Sequence, residues 1–193
     1  MVCINSIANA NLLNDFLLTQ FSLWWFIKET VPTDIKLNYV PYTEESSSIL
    51  ACSRPIELDL STVFPGKTVV IVSVPGAFTP TCTESHIPAF VKGAAELKAK
   101  GVSEIIVLSS NDAFVLSAWG KALGDKGAIK FACDPQAKFS TKIGLAIEQE
   151  DPNVFKRTSR YALIVKDGKI HYVGQELAGG VTVSGFDAVL KAL

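Results

Sequence analysis

The stretch from Val69 to Glu84, VVIVSVPGAFTPTCTE, constrains this chain more than any other. The unbroken apolar run Val69 to Val74 reads as a strand buried on both faces. Pro75, Gly76 and Pro80 end it in a stiff turn, and Cys82 opens a segment with helical spacing. A strand that turns sharply into a helix delivers one thiol to a helix N-terminus. There, unpaired backbone N–H groups and the helix dipole stabilise negative charge, so a thiol becomes a thiolate.

Downstream, Ile87, Phe90, Val91, Ala94, Ala95 and Leu97 recur at helical spacing, and Lys98, Lys100 and Gly101 close one long helix that Pro88 should kink or reset. Residues 104–109 read as a second buried strand, followed by a helix capped by Asn111 or Asp112 and running to Leu123-Gly124. A third strand over 129–132, a short helix over 136–143 and a polar loop over 148–156 come next. Strands over 160–165 and 169–173 then form a hairpin whose Asp167-Gly168 suits a type I′ turn, and Ser184 is expected to cap a final helix to Leu193. Upstream, 35–40 reads as a strand stopped by Pro41, 43–48 as loop, and 55–60 as a further extended piece. Parallel strand–helix–strand units followed by a hairpin and a closing helix predict an α/β chain with a thioredoxin-like fold, a central mixed β-sheet flanked by helices.

Composition narrows the partners. With 193 residues, 48% of them hydrophobic, and a net charge of -1, the chain suits one globular domain with a full core. Lys and Arg form no run, which argues against nucleic acid and anionic membrane surfaces. That domain is expected over 29–193. Residues 1–28 differ in texture: Leu12 to Ile27 is apolar but broken by Asn14, Asp15, Thr19 and Gln20, and it falls short of the ~20 residues of a membrane span. No basic residue precedes Lys28, so neither a secretory signal nor a transit peptide is supported. The segment is either an apolar piece that packs on the domain or a partner, or an extension that is not part of the mature domain. The last residues, Lys191-Ala192-Leu193, do not match the S-K-L peroxisomal address, which leaves cytoplasm as the expected compartment and mitochondria as the alternative.

Cys3, Cys52, Cys82 and Cys133 include no CxxC pair, and the chain has only His86 and His171. A metal would lack ligands, and no cofactor is expected. Unpaired thiols fit an intracellular protein in which most serve as small buried hydrophobes, Cys133 among them.

A reactive Cys82 needs a hydroxyl and a cation nearby. Thr79, one turn earlier, supplies the hydroxyl unless it serves merely as helix cap. Arg160, at the start of the hairpin, supplies the cation unless it is a solvated strand-end charge. A disulfide oxidoreductase would carry CxxC, and position 79 is threonine. A non-enzymatic redox-sensing or chaperone-like protein, binding through the apolar N-terminal run, is the remaining class.

Pro75, Thr79 and Cys82 stand as PxxxTxxC, which resembles the active-site motif of the peroxiredoxins. The longer string PGAFTPTCTESHIPAF is similar to that of their type-five branch, which includes the fungal alkyl hydroperoxide reductases; NDAFVLSAWGKALG, FACDPQAKFSTKIG and SRYALIVKDGKI extend the likeness over about residues 30–193. The resemblance implies a thiol-dependent peroxidase for hydrogen peroxide and alkyl hydroperoxides. Cys82 would be the peroxidatic cysteine that becomes a sulfenic acid, and Thr79 would hydrogen-bond peroxide and thiolate. Pro75 would shield the sulfur, and Arg160 would favour the thiolate and polarise the O–O bond. Arg157 also precedes the hairpin, but SRYAL carries the match. His86 either supports the loop or simply packs. The resemblance further implies Cys52 as resolving cysteine, bridging to a partner subunit, with Cys133 or an external thiol as alternatives. It also implies a homodimer, recycling by thioredoxin or glutaredoxin, and a role in antioxidant defence.

Overall fold

Val70, Val72 and Val74 pack on one side of a sheet while Val69 and Ile71 pack on the other, and all are buried. Such two-sided burial requires helices on both faces. The computed structural model describes residues 29–148, 151, 153 and 155–193; the expectation for the atypical segment 1–28 falls outside them. Seven strands, β1 (Leu37–Tyr39), β2 (Ile56–Leu58), β3 (Thr68–Ser73), β4 (Val102–Ser109), β5 (Lys130–Cys133), β6 (Tyr161–Lys166) and β7 (Lys169–Gln175), form one sheet in the order β2-β1-β5-β4-β3-β6-β7. β3, β4 and β5 are parallel, and the other neighbours pair antiparallel, so the sheet is mixed.

The helices are α1 (Leu60–Val63), α2 (Ile87–Ala99), α3 (Ala113–Ala122), α4 (Lys138–Lys142) and α5 (Phe186–Ala192). Phe90, Ala94 and Leu97 of α2, Leu116 and Trp119 of α3 and Val189 of α5 build the core on one face; Leu60, Val63 and Phe139 contribute to the other. This is the thioredoxin-like arrangement expected from the alternation of strand and helix.

Four local expectations change. The extended piece over 55–60 stops at Leu58, because the Asp59 carboxylate accepts from Ser61 N at 2.9 Å and starts α1. The long helix after Cys82 opens instead as a π-turn over Cys82–His86, with Ile87 N donating to Cys82 O. Pro88 has no N–H to return to the carbonyl of Glu84 and crowds it, and the turn ahead of it widens. The helix expected from residue 136 begins at Lys138, since Gln136 and Ala137 hold φ of 57° and 51°. Finally, Gly185 and not Ser184 occupies the cap of α5, because Ser184 is engaged by Glu176. The hairpin is as expected: Asp167 and Gly168 both take positive φ, 51° and 76°, the signature of type I′.

Candidate active site

Strand direction explains why residues far apart in sequence meet. β3 pairs antiparallel with β6, Ser73 opposite Tyr161, and β6 with β7, Tyr161 opposite Gln175. The end of β3, the start of β6 and the end of β7 therefore share one edge of the sheet. The Pro75–Cys82 turn, Arg157, Arg160 and Glu176 all emerge there, at the carboxyl ends of parallel strands where open α/β sheets place their sites.

The turn is held from several sides. Val74 N donates to Leu108 O at 2.9 Å, and Thr158 Oγ1 donates to Val74 O at 2.7 Å. Arg157 Nη1 donates to Pro75 O at 3.0 Å, and Ala77 N donates to Asn111 Oδ1 at 2.9 Å. Phe78 takes a left-handed φ of 59°, a conformation a bulky side chain adopts only where its surroundings impose it. The Thr79 hydroxyl donates to Gly76 O at 2.9 Å. It thus spends its proton on the loop and keeps its oxygen lone pairs free to accept from a bound hydroxyl. Thr79 also caps by its backbone, its carbonyl accepting from Thr83 N at 3.0 Å.

Cys82 follows in the first turn with no solvent exposure. Beside it Trp119 Nε1 donates to Thr83 Oγ1 at 3.1 Å, and the Trp119 ring lies 6.4 Å from that of Phe78.

Arg160 does not stand alone. Its Nη1 lies 3.0 Å from His86 Nδ1, and His86 Nε2 lies 2.9 Å from Ser184 O. A guanidinium can only donate and a carbonyl only accept, so the tautomer is determined: Nε2 carries the proton and Nδ1 the lone pair. Burial pushes the His86 imidazole down to about 4, with the Arg160 charge acting the same way, while the Ser184 carbonyl and Glu176 oppose. Ser184 is itself fixed, its N and Oγ each donating to Glu176 Oε1 at 2.9 Å, and Glu176 N donates back to Arg160 O at 2.9 Å. Arg160, His86, Ser184 and Glu176 close a ring of hydrogen bonds.

Pro75, Thr79, Cys82, Arg160 and His86 thus gather at one edge. Sequence reasoning passed over Arg157 as a holder of the loop, Asn111 as its second anchor, and the Glu176–Ser184 pair. Asn111 was visible as a cap candidate, but Asp112 takes the cap, accepting from Phe114 N and Val115 N.

The other two thiols among the described residues differ. Cys133, at the end of β5, is buried, and burial followed by the Asp134 and Asp112 carboxylates pushes it up to about 11. A thiol that stays protonated at neutral pH is a poor attacking group, so Cys133 behaves as the small hydrophobe its sequence context implies. Cys52 is exposed. It adjoins Ala51, whose carbonyl accepts from Lys121 Nζ at 2.7 Å. Lys121 lies in the last turn of α3, so the segment carrying Cys52 is tied to that helix. Among the described residues, no group of three or more His, Cys, Asp and Glu side chains is placed to hold a metal, and no helix is long and apolar enough to cross a membrane.

A buried thiol in the first turn of a helix, under a Pro-x-x-x-Thr loop on a thioredoxin-like sheet, defines a class of thiol-based redox enzymes. Over residues 29–190 the sequence matches the Redoxin family. It is 52% identical over 163 residues to a putative peroxisomal peroxiredoxin of Lipomyces kononenkoae, covering 84% of this chain and 97% of the relative. It is 42% identical over 167 residues to peroxiredoxin AHP1 of Chaetomium thermophilum, covering 86% and 92%. Among solved structures, reduced Prx3 of Vibrio vulnificus in complex with hydrogen peroxide is similar at a TM-score of 0.72 and 34% identity, covering 84% of this chain and 95% of that one. The chain belongs to the Redoxin family and is a peroxiredoxin, a thiol-dependent peroxidase.

Proposed function

We propose that Cys82 is the peroxidatic cysteine and that hydrogen peroxide and alkyl hydroperoxides are its substrates. The convergence of Thr79, Arg157 and Asn111 on the loop above a fully buried Cys82 carries this reading. The sulfur attacks one peroxide oxygen, the O–O bond breaks, and the leaving oxygen takes up the proton the thiol has given up and departs as water or alcohol, leaving a sulfenic acid on Cys82. Thr79 accepts a hydrogen bond from the peroxide, and its own donation to Gly76 O at 2.9 Å orients it for that. Arg160, steadied by His86, stabilises the charge that develops on the leaving oxygen. Pro75 walls the sulfur from water. The Vibrio vulnificus protein solved with hydrogen peroxide supports the substrate class.

Cys52 is the resolving thiol, and it acts in trans. Its exposure at the surface suits attack on the partner subunit's Cys82 within a homodimer. Phe78 and Phe114, 56% and 47% exposed near the site, offer apolar surface for that contact. Thioredoxin or glutaredoxin then reduces the bridge. We assign the protein to the cytoplasm; the Lipomyces kononenkoae relative is described as peroxisomal, and imaging a tagged chain beside a peroxisomal marker separates the two.

The decisive experiment is thiol-dependent peroxide consumption by Cys82→Ser. Complete loss is expected; turnover at the wild-type rate would overturn the assignment.

A further inference from the structure

Cys52 sits on a segment with little of its own to hold it. Between buried Ser46 and buried Leu58 no residue is buried, and the tip residues Ile49 and Leu50 are 50% and 94% exposed. Inside the segment, Ala51 N donates to Ser48 O at 3.0 Å and Leu50 N to Ser48 Oγ at 3.3 Å, a single tight turn. Among the described residues, the hydrogen bonds that tie 48–55 to the body of the domain come from Lys121. Its Nζ donates to Ala51 O at 2.7 Å and to Ser48 O at 3.4 Å.

Lys121 is well suited to this task. It lies in the last turn of α3, a helix fixed from within by Trp119, whose ring packs edge-on to Phe131 at 5.8 Å. Gly120, one residue earlier, lies against the same Phe131 ring, where a Cβ would come within 2.7 Å. The stem of Lys121 therefore starts from a rigid base, and its ammonium caps both carbonyls of the Ser48–Ala51 turn from outside. Cys52 is the next residue.

We infer that Lys121 is the positioning residue of the resolving cysteine: by clamping the Ser48 and Ala51 carbonyls to α3 it holds the Cys52 thiol where the partner's sulfenic acid can be met. The inference rests on the reading of Cys52 as the resolving thiol. In the step concerned, the Cys52 sulfur bonds to the Cys82 sulfur and the S–O bond of the sulfenic acid breaks. The hydroxyl leaves with the thiol proton as water. No further oxidant or reductant is needed. The rate depends on how often the thiol is in line, which a loop released from its clamp lowers without touching Cys82. A slower resolving step leaves the sulfenic acid exposed to a second peroxide, which takes it to sulfinic acid.

The test compares wild type, Lys121→Met, Lys121→Arg and Cys52→Ser, all as full chains. Three quantities are read: the rate constant of Cys82 with hydrogen peroxide, the rate of disulfide-linked dimer formation, and the peroxide dose that converts half of Cys82 to sulfinic acid by mass. Lys121→Met keeps the peroxide rate constant, forms the disulfide roughly five- to tenfold more slowly, and is overoxidised at a correspondingly lower dose. Lys121→Arg, which still donates to carbonyls, recovers most of the loss. Amide exchange at residues 50–52 rises in Lys121→Met, a local effect that general destabilisation would not confine there. If Cys52→Ser abolishes the disulfide while Lys121→Met forms it at the wild-type rate, the clamp is overturned and the resolving role stands. If Cys52→Ser still forms it, the resolving role fails and the clamp falls with it.

Discussion

Arg160 Nη1 donates to His86 Nδ1 across 3.0 Å, joining residues 74 positions apart in the chain. The second ring nitrogen donates to Ser184 O, 98 positions from His86. A neutral imidazole is therefore the rest on which the guanidinium lies. His86→Phe keeps the edge-on ring contact with Phe90 and removes both hydrogen bonds. The peroxide rate constant of this variant should fall about 10- to 100-fold, since a cation no longer aimed at developing charge loses most of its effect. Stopped-flow fluorescence of Trp119, packed against Thr83, reads it directly.

The same imidazole sets an acid limit on stability. Its folded-state value of about 4 lies below the ordinary 6.5, so the unfolded chain binds the extra proton between those values. Stability from this source is complete above about pH 6.5 and declines as the pH falls toward 4, by about 3 kcal/mol at most. Denaturant titrations across pH 4 to 7 should show a slope for wild type that is reduced in His86→Phe. Equal slopes in the two proteins would contradict the assignment.

Glu176 acts further out in the same ring. Burial alone would raise its carboxyl, but donation from Ser184 and Thr182 outweighs this and holds it below the ordinary 4.5. A depressed carboxylate contributes stability above its unfolded value and loses it as the pH falls through the folded one. Glu176→Gln should cost about 1–2 kcal/mol at pH 7, and the cost should shrink below pH 4. Because Ser184 O then loosens under His86, the peroxide rate constant should also fall, by less than in His86→Phe. A variant with lowered stability but an unchanged rate constant would break the link between Glu176 and Arg160.

What the sequence made legible is what lies close together along it. Strand, proline turn and Cys82 are consecutive, and their geometry follows from local rules. The alternation of strand and helix gave the sheet, and Asp167-Gly168 gave its hairpin. The ring around Arg160 is invisible at that level, because sheet registry, not spacing, brings Glu176 beside residue 160. Ser184 shows the same effect in reverse: its serine looks like a helix cap, but a carboxylate from the end of β7 reaches it first. The π-turn was half visible, since Pro88 announced a disturbance but not its form.

Asn111 and Gly76 govern the loop rather than the chemistry. Asn111 Oδ1 accepts from both Ala77 N and Ser109 Oγ, the latter at 3.0 Å. Asn111→Ala should slow reaction with peroxide about tenfold and cost about 1–2 kcal/mol of stability. Asn111→Asp, which keeps the acceptor, should recover much of both. A Cβ on Gly76 would sit 2.7 Å from Arg157 Nη1 and 3.2 Å from Thr79 Cγ2. Arg157 is exposed and flexible at its tip, so Gly76→Ala should change the melting temperature little while displacing the guanidinium from Pro75 O. A several-fold loss of peroxide reactivity with unchanged KM for the reductant is the expected pattern, read by steady-state turnover.

Cys133 provides the last contrast. It shares the Cys82 edge of the sheet, yet β5 stands two strands from β3, about 10 Å away. Its sulfur is buried and its thiol pushed up to about 11. Too little thiolate exists at neutral pH for attack on a sulfenic acid, and the strand holds it in place. Cys133→Ala should therefore leave peroxide turnover and the peroxide-driven disulfide dimer at wild-type levels, while the small cavity costs about 1 kcal/mol in denaturant titrations. Loss of the dimer band on a non-reducing gel of Cys133→Ala, with the band retained in Cys52→Ser, would reverse the assignment of the two thiols.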